Sequence, residues 1–148
     1  MKNRIFLSVL VLMSMLIPKN GFAQSKEVMR AKESGKVMMI INYVKDESKI
    51  EYEKFMNEIF FDLLSKSKNP LTKEKYQKTR WLTPSAQNEN KTWTYAFVMD
   101  PLVENGDYGI LPLFQERFSK EESEKLLEKY ASFLAGPPDV HTLVQSKY

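Results

Sequence analysis

The 148-residue chain contains no cysteine, one histidine and only five glycines. Without cysteine there is no disulfide, no thiolate nucleophile, no thiolate metal site and no lipidation site behind an export signal. A single histidine, His141, leaves no paired-histidine metal signature. The glycines are scattered, so no phosphate-cradling loop forms, and no serine sits in a nucleophile elbow. No apolar run reaches the ~20 residues that a bilayer-spanning helix requires. This inventory gives no reason to expect a metal or a cofactor.

An excess of charge is also missing from most of the chain. The formal net charge of +3 comes from 22 basic against 19 acidic residues, and Lys2, Arg4 and Lys19 all lie near the start, where there is no acid. Those residues belong to a stretch with the order of a secretory signal. Met1 to Arg4 is a short positive region, Ile5 to Ile17 is apolar, and Pro18-Lys19-Asn20 breaks the run. Gly21-Phe22-Ala23 then sets small residues before a cut ahead of Gln24. Residues 1–23 are therefore expected to be removed, leaving a neutral domain in the periplasm or outside the cell. Neutrality excludes the electrostatic footprint of a nucleic-acid binder, and loss of the signal leaves no membrane anchor.

What remains suits a single domain with one core. Hydrophobic residues at 43% and aromatics at 12% are those of a globular chain, not a disordered one. Residues 24–36 are polar and read as a flexible or weakly helical lead-in to a domain over 37–148. Val37 to Val44 is a β-branched and apolar run, expected to be a strand buried on both faces. Ser48-Lys49-Ile50-Glu51 has the capping-box pattern. Behind it Tyr52, Phe55, Met56, Ile59, Phe60 and Leu63 recur at helical spacing to about Lys66. Residues 67–77 are lysine-rich and read as a connection. Lys78 to Thr83 and Lys91 to Met99 read as a hairpin. In its second strand Trp93, Tyr95, Phe97 and Met99 alternate with smaller residues. Residues 103–118 read as a loop with a short helical turn. Ser119-Lys120-Glu121-Glu122 is a second capping box ahead of Leu126, Leu127, Tyr130, Phe133 and Leu134. Gly136-Pro137-Pro138 stops that helix, and Val140 to Gln145 alternates as a last strand.

Strand, helix, strand, strand, helix, strand is the α+β, ferredoxin-like βαββαβ plan. It has a four-stranded antiparallel sheet with two helices on one face. With this element order, the strand Thr94-Tyr95-Ala96-Phe97-Val98-Met99-Asp100-Pro101 and its capped second helix, the chain resembles the dimeric α+β barrel superfamily. That group includes antibiotic-biosynthesis-type and haem-degrading monooxygenases. The resemblance implies a homodimer packed sheet to sheet, with a pocket between sheet and helices in each subunit. Some haem-degrading members use an asparagine on the first strand, a tryptophan on a central strand and a helical histidine. Asn42, Trp81 and Trp93 fit the first two places, but His141 falls on the last strand, so haem activity does not carry over.

Among candidate site residues, His141 is the one side chain that titrates near neutrality unaided, and reads either as a base or as an exposed strand residue. Asn42 interrupts an apolar strand and must be hydrogen-bonded, by the protein or by a ligand. Trp81 and Trp93 could wall a flat ligand or supply core or interface area, and Tyr95 and Tyr43 could offer a ligand a hydroxyl or serve as packing. Arg80 could hold an anionic group or be a solvated strand-edge charge. Taken together, these features describe an exported homodimeric module binding a small apolar or aromatic molecule. A cofactor-independent monooxygenase-like enzyme using Asn42 and His141 is the alternative. A surface or polymer-interaction protein reading through the basic stretch from Lys66 to Arg80 is the third.

Overall fold

The structure, a computed structural model, describes residues 30–147. The expected signal segment and the start of the expected lead-in lie outside the described residues. Four strands form one antiparallel sheet: β1 (Lys36–Lys45), β2 (Thr79–Leu82), β3 (Thr92–Met99) and β4 (Asp139–Val144). Their order across the sheet is β2-β3-β1-β4, with the first strand paired to both the third and the fourth, as the ferredoxin-like plan requires.

Register divides the side chains between two faces. Ile40 is opposite Phe97 and Asn42 opposite Tyr95, so the even residues of β1 and the odd residues of β3 point together. They face the helices. Met39 is opposite Val98 on one side and His141 on the other, so these three lie on the outer face. β1 is accordingly less buried than expected: Asn42 and Val44 are fully enclosed, but Met39, Ile41 and Tyr43 are only half-buried. Among the described residues no helix covers the outer face, which is why one-sided burial replaces the two-sided burial its composition suggests.

The first helical segment runs continuously as α1 (Lys49–Phe55), a π-helical turn (Met56–Phe60) and α2 (Phe61–Lys66). Its start corrects the expected capping box. Ser48 closes a 3-10 turn (Asp46–Ser48), has φ −98° and ψ −5°, and makes no side-chain cap. A capping hydroxyl needs the extended backbone that a residue inside a helical turn cannot have. The second box does form. Ser119, extended at φ −60° and ψ 164°, caps α5 (Lys120–Ser132), with Ser119 Oγ accepting from the Glu122 amide and the Glu122 carboxylate accepting from the Ser119 amide.

A second correction falls between α2 and the hairpin. The expected connection over 67–77 contains α3 (Pro70–Lys78), and β2 is confined to Thr79–Leu82. Asn69 caps this helix by accepting from the Leu71 amide, and Pro70 occupies the first helical position, where its missing N–H costs nothing. α4 (Ile110–Gln115) is the short helix expected within 103–118. After α5 the chain returns beside β1, where Val44 bridges Leu134, before the Gly136-Pro137-Pro138 turn delivers β4 to the sheet edge.

The core lies between the inner sheet face and the helices. Tyr52, Tyr95, Phe114, Met56 and Met99 are its largest fully buried side chains. Burying a side chain of this size removes about 1.5–3 kcal/mol of unfavourable hydration. Among the described residues, no helix is long and apolar enough to cross a membrane.

Candidate functional site

Beneath the inner sheet face is a cavity of about 80 Å³. Its floor is sheet: Ile40, Phe97 and Met99. One wall comes from Met56, Phe60 and Leu64, spaced four residues apart so that they share a face of the first helical segment. The π-helical turn lies within this wall, with Met56 and Phe60 at its two ends; π-turns inside α-helices recur at functional sites. Ile110 and Leu113 of α4 and Tyr130 of α5 close the far side. Lys75, Thr79, Asp107, Tyr108 and Gly109 form a more polar mouth.

A tyrosine network borders this space. Asn42 Nδ2 donates to Tyr52 Oη at 2.9 Å and to Tyr130 Oη at 2.8 Å, so Asn42 bridges β1 to both helices. Its Oδ1 is buried with no hydrogen-bond partner among the described residues. Burial holds the Tyr130 hydroxyl protonated, its pKa pushed up to about 12 despite the opposing Asn42 hydrogen bond. The Tyr52 hydroxyl is raised further, by burial and then by Tyr130. Tyr95 Oη donates to Glu53 Oε1 at 2.6 Å. Burial and that hydrogen bond raise its pKa, while Lys49, at 2.8 Å from the same oxygen, holds the Glu53 carboxyl below its usual range.

The residues singled out from the sequence are not gathered at the cavity. Asn42 faces the helices and His141 lies on the opposite face of the sheet, exposed, so the two cannot share a substrate. Trp81 stacks on Tyr95, with ring centroids 5.8 Å apart and planes 17° from parallel, and its buried Nε1 has no partner among the described residues. Trp93 donates from Nε1 to Asp46 Oδ1 at 2.8 Å beneath the Lys49 ammonium. Tyr43 is on the outer face, where the Asp139 carboxylate raises its hydroxyl pKa. Arg80 is engaged by Asp100 at 3.1 Å. None of these lines the cavity.

The basic stretch from Lys66 to Arg80 is divided among partners. Lys66 pairs with Asp62, Lys78 with Glu74 and Arg80 with Asp100. Lys75 instead turns to the cavity mouth. Sequence reasoning missed Lys75 because it missed α3; the Asn69-Pro70 cap-and-first-turn pair was the signal that could have found it. Tyr108 and Asp107 sit in a loop whose course no periodicity reveals. Among the described residues, no group of three side chains could hold a metal ion.

Comparison with known proteins yields a likeness of fold. No family model and no curated protein matches the chain. It is similar to a solved structure from Caulobacter crescentus CB15, provisionally described as an antibiotic biosynthesis monooxygenase, at 10% identity and a TM-score of 0.41. That match covers 77% of this chain and 92% of the other. The chain's ferredoxin-like architecture rests on its own strand order, and one fold hosts many chemistries.

Proposed function

We propose that this protein is an exported binding module that holds a small apolar molecule in the cavity between its sheet and helices. The observation that carries the reading is the cavity itself: about 80 Å³, walled by Met56, Phe60, Leu64, Phe97 and Leu113. Apolar cavities of this kind stay dry and take up apolar guests, because water finds too few partners in them. That volume is about half the ~150 Å³ of an apolar cavity that takes up benzene. That size favours a short aliphatic group over an aromatic ring. An oxygenase would need a base beside its substrate, and His141 lies across the sheet from the cavity.

The working unit in this reading is a homodimer. Met39 and Ile41, both half-buried, share the outer sheet face with the exposed Leu143, and among the described residues no helix covers them. A second copy laid sheet to sheet would remove this apolar area from water by a two-fold contact.

The cavity reading is tested with butan-1-ol, followed by amide chemical shifts. Saturable shifts at Leu113 and Tyr130 are expected, and Ile110→Phe, which fills the space, should abolish them. Shifts that persist in the filled variant, or none in the unaltered protein, would refute the reading. Sedimentation at micromolar concentration tests the dimer separately: a monomer counts against it, and Ile41→Glu should dissociate a true one.

A further inference from the structure

The mouth of the cavity carries a cation with no acidic partner among the described residues. Lys75 lines it from α3 and is half-buried. Its ammonium donates to the Asp107 main-chain carbonyl and stands 5.6 Å from the centre of the Tyr108 ring. Among the described residues no carboxylate lies within ion-pair distance of it, whereas Lys66 and Lys78 both have an acidic partner on the preceding turn. The two acids nearby are occupied elsewhere. Asp107 Oδ1 accepts from the Gly109 amide at 2.7 Å, and Glu74 is held by Lys78. A carbonyl bond uses one of the three protons of the ammonium, leaving donors at the rim of an otherwise apolar space.

We propose that the ligand is a short-chain carboxylate, with its alkyl tail among Met56, Phe97 and Leu113 and its carboxylate on Lys75. This rests on the cavity reading above and specifies it. The geometry divides the ligand in two. The apolar part of the cavity is small and opens at Lys75, so a short alkyl tail lodged there brings its charged end beside the ammonium. An ammonium on a partly buried stem is desolvated on one side, and a charge-assisted hydrogen bond there is stronger than one between neutral groups. The neighbouring Tyr108 ring and the Asp107 carbonyl hold the lysine over the opening, so little side-chain freedom remains to be lost on binding. Thr79 does not compete for the anion, because its hydroxyl donates to the Lys75 carbonyl within the helix end.

The test compares butanoate, butan-1-ol and butylamine, three four-carbon chains differing in the head group, by amide shift titration of the full domain. Butanoate should bind in the millimolar range and butylamine, which only Asp107 could attract, about tenfold or more weakly. Lys75→Met, which keeps the length and removes the charge, should weaken butanoate about tenfold and leave butan-1-ol unchanged. Lys75→Arg should retain butanoate binding, and Lys73→Met, an exposed neighbour on the same helix, should have no effect. If Lys75→Met leaves butanoate unchanged, or butylamine matches butanoate, the carboxylate assignment is wrong while the apolar cavity stands. If none of the three chains moves the cavity amides, both fall.

Discussion

Asn42 and Tyr130, 88 residues apart in sequence, meet at 2.8 Å beneath the sheet, where the asparagine amide donates to the tyrosine hydroxyl and also to Tyr52. A polar side chain with no exposure at all thereby fixes both helices against the first strand. Buried polar groups of this kind are costly unless paired, so the bridge sets where the helices sit as much as it holds them. Tyr130 is also part of the cavity wall, which ties the shape of the candidate site to this one contact.

Replacing Asn42 should therefore be expensive in a graded way. Asn42→Ala removes two hydrogen bonds, strands two buried hydroxyls and opens a void, for an expected loss of about 2–4 kcal/mol in urea unfolding. Asn42→Leu fills the void and also removes the unpartnered Oδ1, so its loss should be smaller. An alanine variant within about 0.5 kcal/mol of the parent would show that the bridge is not structural.

The two serine-led turns should respond differently to the same change. Ser119→Ala removes a working cap on α5 and should cost about 1 kcal/mol. Ser48→Ala removes a hydroxyl that caps nothing, and thermal unfolding should leave it within about 0.5 kcal/mol of the parent. Equal losses at the two positions would contradict the cap assignment.

The buried tyrosines make an alkaline prediction. Tyr52, Tyr95 and Tyr130 all have folded-state pKa values raised above the ordinary 10.0, mainly by burial. The unfolded chain ionises first, so the stability these groups contribute is present in full below about pH 10 and is lost as pH rises from there through the folded values. For Tyr130 that folded value is about 12. Absorbance of tyrosinate should thus include a fraction that appears only well above pH 10 and together with unfolding. A single titration of all seven tyrosines near pH 10, with the fold intact, would rule out the buried network.

Much of the fold is written in local patterns. Trp93 to Met99 alternates because a strand presents successive side chains to opposite faces, and Ser119 with Glu122 satisfies helix-end amides using neighbours only. α3 was hidden because it carries almost no apolar stripe: Thr72 is its one buried residue, while its lysines spread around it. The site was less legible still. Trp81, Trp93 and Tyr95 share the inner face with the cavity floor, yet Phe61, Asp46 and Glu53 claim them as packing or hydrogen-bond partners first.

The sequence by itself determined the order of the four strands and the two long helical segments, the inward-facing alternation of the third strand, and the balance of charge over residues 24–148. Those are local or additive properties, carried by period, caps and composition. Only the tertiary structure decided that Asn42 and His141 stand on opposite faces, that Ser48 caps nothing, and that Lys75 reaches the cavity mouth without a counter-ion among the described residues. Each depends on register or on segments distant in the chain, and periodicity within one segment holds no record of what another segment brings beside it.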